Sequence, residues 1–278
     1  MAEKLDLGRA WNEATALLAA NKDVVLIVAG VFFFLPNVIS TLLLPSQEAM
    51  VMQMEAMGAN PDPEDMMAMI GDYFAQSWWI YLVFGLVQAA GVLGLLALLT
   101  DKARPTVGEA LGFGVKALVP YLLAQILLGM AMVLIPVLLI ALGAAVNEGV
   151  GVLLGMIGLV VAVYVWIKFS LLSPVIAIEK TMNPVKALAR SWQLTKGNSF
   201  RLLAFYILLI LAAGILSTIA SMLLSLFAVL GDEIGLFATA IGGGLVSLAF
   251  TTIMLAVLAA VHRQLSGRGG EGVGQTFD

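Results

Sequence analysis

The sequence predicts an all-α polytopic membrane protein of six transmembrane helices, and three observations carry that expectation. Of its 278 residues 61% are apolar and 12% charged, against roughly a quarter charged in a soluble domain. Six apolar runs are about as long as the roughly 20 residues needed to cross hydrocarbon: Val24–Leu44, Trp78–Leu99, Leu118–Leu142, Val150–Leu172, Phe200–Leu226 and Leu236–Val261. They are long and continuous, unlike the short alternating segments of membrane barrels. Charge is also segregated. With the N-terminus inside, the cytoplasmic segments hold all 14 Lys and Arg, and the opposite side holds nine acidic residues and no basic one. An odd number of spans would destroy this separation, so the positive-inside rule places both termini in the cytoplasm.

From the N-terminus, seven charges in the first 23 residues precede a full-length apolar run, so the start reads as a retained anchor and not as a cleavable signal. Leu7, Trp11, Ala14 and Leu18 make one helical face, opposite Asp6, Arg9 and Glu13. Pro36-Asn37 interrupts the first span, and Pro120, Pro136 and Pro174 interrupt or border later ones. The outer helical segment 47–76 is too polar to span. Met50, Val51, Met54 and Met57 form one stripe and Met66, Met69, Ile70 and Tyr73 another, separated by Gly58, Asn60, Pro61 and Pro63. Two short docked helices with a proline hinge are expected there.

A second amphipathic helix opens on the capping pair Thr106 and Glu109, with Val107, Leu111, Val115 and Leu118 as its stripe. A third opens with Asn183 as cap and Pro184 at the first helical position. In that helix Val185, Leu188, Ala189 and Trp192 oppose Lys186, Arg190 and Gln193, and Gly197-Asn198 supplies the stop. The membrane domain, residues 1–265, thus reads as three repeated helix-plus-hairpin units near 1–100, 101–173 and 174–265. Gly151 and Gly155, and Gly242 to Gly244, suit close helix packing inside the bundle or between subunits. The glycine-rich tail, 266–278, reads as flexible and cytoplasmic.

Ser173-Pro174, Glu179-Lys180, Asn183-Pro184, Ala187-Leu188, Ser191-Trp192 and Leu194-Thr195-Lys196-Gly197-Asn198 resemble the membrane domain of glycerophosphoryl diester phosphodiesterases. The six-span layout with an acidic first outer loop is also similar to uncharacterised multi-pass bacterial inner-membrane proteins. The resemblance implies a free-standing membrane domain without the soluble barrel that performs hydrolysis in fused relatives. It carries over no catalytic residue.

With no Cys and one His, disulfide, thiolate and multi-imidazole metal chemistry is excluded. His262 reads as interfacial, at the end of the last apolar run. No Asp, Glu, Lys or Arg lies near the middle of a span, which argues against proton and ion pumping. A non-catalytic structural, lipid-organising or partner-binding role is therefore expected, without cofactor or nucleic acid. The alternative is a transporter or channel for a neutral or apolar small molecule through the proline-broken helices. Lys186, Arg190, Lys196 and Arg201 with Trp192 form the candidate contact for anionic lipid headgroups. Glu179 beside Lys180 either neutralises part of that patch or makes a surface pair. Partners expected are membrane lipids, a second copy of the chain or another membrane protein. The outer methionines offer thioethers to Cu(I) or, with no His or Cys nearby, an apolar surface.

Overall fold

The computed structural model describes residues 4–44, 47–58, 62–100 and 105–267; these form helices and turns, with no strand among them. The helices are α1 (Leu7–Ala20), α2 (Lys22–Ala29), α3 (Leu35–Leu43), α4 (Gln47–Ala56), α5 (Pro63–Thr100), α6 (Val107–Lys116), α7 (Leu118–Ala144), α8 (Glu148–Phe169), α9 (Leu172–Ile178), α10 (Pro184–Leu194), α11 (Ser199–Ser225) and α12 (Asp232–Leu265). Six helical stretches are long and apolar enough to cross a membrane: Lys22–Leu43, Glu64–Thr100, Leu118–Ala144, Glu148–Ile178, Ser199–Leu230 and Asp232–Leu265. The chain is a multi-pass membrane protein by this architecture. The tail beyond Gly267 and hinge residues 59–61 lie outside the described residues.

Local chemistry explains the helix starts. Asp6, Thr106, Asn147 and Asn183 each turn a side-chain oxygen onto the N–H three residues on, satisfying one donor that a helix start leaves bare. At Thr106 the box is complete, because Glu109 also accepts from the Thr106 N–H at 2.8 Å. Hydrogen bonds from the Thr106 backbone N–H and from the Thr106 hydroxyl hold the Glu109 carboxyl below its usual range.

The prolines are absorbed without breaking the spans. Ahead of Pro36 the helix widens into a π-turn over Gly30–Phe34, where the Leu35 N–H reaches five residues back to the Gly30 carbonyl. The wider turn makes room for the proline ring against the preceding carbonyls. Pro120 and Pro174 stand third in α7 and α9, where an N–H would have had no helical partner. Pro136 lies within a continuous α7.

One expectation needs correcting. The first outer stripe forms a separate helix, α4, but the second does not: α5 runs unbroken for 38 residues from Pro63 through the second span. Phe74, Ala75, Gln76 and Ser77 contain no helix breaker, so the hydrogen-bond ladder propagates once started. At about 1.5 Å per residue this helix is about 57 Å long, well beyond a hydrocarbon core of about 30 Å.

The chain divides into two compact units, and the division cuts across helices. The first comprises Met1–Val25, Val92–Ala212 and Ile253–Asp278. Its α7–α8 hairpin closes through glycine: a Cβ added at Gly143 would stand 2.6 Å from the Val150 carbonyl oxygen and 2.7 Å from the Gly151 Cα. Gly155 and Gly158 lie against Ile140 and Pro136 of the same hairpin, so these small residues serve contacts inside the chain. The second unit comprises Leu26–Gly91 and Ala213–Thr252. There Gly91 lies under Phe32, Gly242 under Leu224, and Gly244 under Phe34 and Val38.

Candidate functional site

The buried polar side chains of the first unit are Lys168, Ser191, Thr195, Asn198, His262 and Gln264. They occur where α8 and α12 end, along α10, and just before α11, among the basic residues of the chain. Burial of so many polar groups is costly unless each is hydrogen-bonded.

The three amphipathic helices share one register. Counting four and eight residues from their caps Asp6, Thr106 and Asn183 reaches Ala10 and Ala14, Ala110 and Gly114, and Ala187 and Ser191, and all six are buried. The inward face is thus made of small side chains, which let helix backbones approach closely. Trp11, Val115, Val185 and Trp192, the bulkier members of the apolar stripes, are 41%, 60%, 63% and 39% exposed. Ranking residues by hydropathy favours the bulky ones, whereas close packing here selects the small ones.

The N-terminal segment is tied down by polar bonds. Leu5 is buried; its N–H donates to Asn198 Oδ1 at 2.9 Å and its carbonyl accepts from the Arg201 guanidinium at 2.7 Å. The Asp6 N–H donates to Gln264 Oε1 at 3.1 Å, and Gln264 Nε2 returns a bond to the Asp6 carbonyl at 3.2 Å. Arg263 pairs with Glu13 at 2.9 Å. Residues more than 190 positions apart in sequence meet here.

Glu179 is the electrostatic centre of the unit. It ends α9, and Lys180 after it takes a positive φ of 53°, the left-handed stop usually given to glycine. Its carboxylate accepts a forked pair from Arg190, with Nε to Oε2 at 2.9 Å and Nη2 to Oε1 at 3.0 Å. His262 Nε2 lies 3.1 Å from Oε1. Burial alone would raise the carboxyl, but hydrogen bonds from His262 and Arg190, with their charges, outweigh it and bring it down to about 2. With a proton on Nε2 the ring donates to Glu179, and Nδ1 is buried without a partner. His262, in the last turn of α12, is fully buried, and Glu179 pairs across helices instead of at the surface.

Lys168 is 3% exposed. Its Nζ stands 5.4 Å from the Tyr164 ring centroid and 5.3 Å from that of Trp192, and it donates to the Thr195 carbonyl at a long 3.4 Å. The Lys168 carbonyl in turn accepts from Ser191 Oγ at 2.9 Å and Thr195 Oγ1 at 3.2 Å. Ser191 and Thr195 thereby fasten α10 to the end of α8.

Of the five residues expected to meet lipid, α10 and the turn after it carry four. Lys186 and Lys196 are exposed and make no ion pair among the described residues. Arg190 is held by Glu179 while its side chain stays 39% exposed. Trp192 packs on Lys168, Tyr164 and Phe169, and Arg201 is engaged with Leu5. The sequence reading missed Lys168 and His262 as members of the cluster. The signal for Lys168 was the hydroxyl pair Ser191 and Thr195, four residues apart on the inward face of α10; His262 had none.

Residues 133–264 match the family model described as the membrane domain of glycerophosphoryl diester phosphodiesterase. This membrane-domain match contains Glu179, Arg190 and His262, and Lys168 with its two rings. No curated protein and no solved structure matches the chain. Among the described residues no group of His, Asp and Glu is placed to hold a metal.

Proposed function

We propose that the protein is a non-catalytic component of the bacterial inner membrane that organises anionic lipid at its cytoplasmic face. The observation that carries this reading is the outward side of α10. Among the described residues Lys186 and Lys196 stand exposed without an ion pair and Trp192 is exposed on the same helix, while α10 itself is anchored through Ser191, Thr195 and Arg190. A rigid helix that presents cations and an indole at the membrane surface suits phosphate headgroups. The positive-inside distribution supports cytoplasmic termini. Arg190 and Arg201 contribute charge to the same face while each spends donors internally.

The test is lipid retention by the purified protein. Replacing Lys186 and Lys196 together by Gln should lower retained phosphatidylglycerol by roughly fivefold per cation removed, with the melting temperature unchanged. Equal retention by variant and wild type reduces the patch to an anchor.

A further inference from the structure

We propose that α8 and α11 form a seat for one anionic diacyl phospholipid, its acyl chain in a groove of the first unit and its phosphate drawn to the Lys168 box. The proposal rests on the lipid-organising reading above and gives it a place. The groove has a volume of about 470 Å³ and is lined by Leu159, Val163, Tyr164, Ile167, Phe200 and Leu203, with Ser199 at its end. Its walls are almost wholly apolar. It runs along the last turns of α8 and the first turns of α11, hence beside the basic helix ends. Leu159 and Phe200 are 62% and 82% exposed; inside a membrane such a surface meets acyl chains.

Charge selects the headgroup. Tyr164, a wall of the groove, is also a wall of the Lys168 box. Lys168 is buried, and among the described residues no carboxylate lies within ion-pair distance of it. Its compensation is two ring faces and a carbonyl at 3.4 Å. Such a cation is undercompensated in a medium of low dielectric, where an anion just outside the rings gains most. Lys196 stands exposed three residues before Ser199, on the turn leading into the groove. A phosphodiester at this level meets both fields while its chain lies in the groove. A zwitterionic lipid fills the groove equally well but brings an ammonium toward Lys168 and Lys196.

Native mass spectrometry after detergent exchange tests the seat, with phosphatidylglycerol and phosphatidylethanolamine supplied in equal amounts. Wild type should keep one phosphatidylglycerol per chain. Val163→Trp with Leu203→Trp fills the groove from its outward side and should lower retention of both lipids roughly fivefold at an unchanged melting temperature. Lys168→Met should lower the preference for phosphatidylglycerol while leaving the groove occupied, and an unchanged preference overturns the assignment of the phosphate to Lys168. Wild-type retention by the Trp variant overturns the seat, as does a dimer that this variant converts to monomer, which would make a second copy the occupant. Lys186→Gln alone separates the two readings, because Lys196 belongs to both the surface patch and the seat whereas Lys186 does not line the groove. Loss there with full retention by the Trp variant leaves the surface patch standing and removes the seat; the reverse pattern sustains the seat and removes the patch.

Discussion

The two compact units use different means to hold helices together. The first contains all 14 Lys and Arg of the chain, whereas the second contains eight acidic residues and none that is basic. In the first, side-chain bonds join distant segments: Leu5 to Asn198, Asp6 to Gln264, Glu179 to His262 and Tyr206 to Ser170. In the second, side-chain bonds are local, as in Ser40 and Thr41 to Asn37, Thr218 to Gly214 and Tyr73 to Tyr81. Its helices meet through glycine without long-range side-chain bonds among the described residues, whereas the first adds such bonds to the glycine contacts of its α7–α8 hairpin. Polar cross-links specify partners by geometry and fail sharply when one member is lost, because a buried group is left unpaired. Glycine contacts specify only close approach, and they fail when a side chain is added.

The largest effect should follow removal of Glu179. Glu179→Ala leaves Arg190 and buried His262 without their shared acceptor and should cost about 3 kcal/mol in a denaturant titration in mixed micelles. The folded-state pKa near 2 lies below the ordinary 4.5, so this carboxylate's contribution is complete above about pH 5 and is lost as the pH falls toward 2. Glu179→Gln should flatten that part of the acid dependence. A variant as stable as wild type, with the same acid profile, would break the contrast between the units.

An intermediate effect is expected from adding bulk to the second unit. A Cβ at Gly244 would stand 2.8 Å from Val38 Cγ2 and 2.9 Å from Phe34 Cδ2, whereas one at Gly243 meets nothing within 4 Å. Gly244→Val should therefore cost about 1–3 kcal/mol and Gly243→Ala almost nothing. Equal melting temperatures for the two would show that glycine packing does not hold this unit.

The smallest effect sharpens the comparison. Gln264→Ala removes both bonds to Asp6 and should cost about 1 kcal/mol. Hydrogen exchange should then speed up at Asp6 and Leu7 and stay slow in α7 and α8. Uniform acceleration would mean that the strap supports the whole unit and not only the N-terminal segment.

Much of this protein was legible in its residues alone, because the causes act locally. Spans follow from the cost of exposing a backbone to hydrocarbon, caps from short side chains beside bare N–H groups, and charge segregation from insertion. Thr106 with Glu109, and Asn183 with Pro184, stand where their patterns placed them. Tertiary structure alone decided which residues of each amphipathic helix turn inward, because close contacts select small side chains such as Ala10 and Gly114 while Trp11 and Val115 stay exposed. The joining of the second outer stripe to α5 also has a local cause, since a ladder stops only at a breaker and Phe74 to Ser77 contain none. Tertiary structure alone brought His262 to Glu179, 83 positions away. No local pattern encodes such a meeting; it exists only once the helix ends have packed and each buried polar group has had to find its partner.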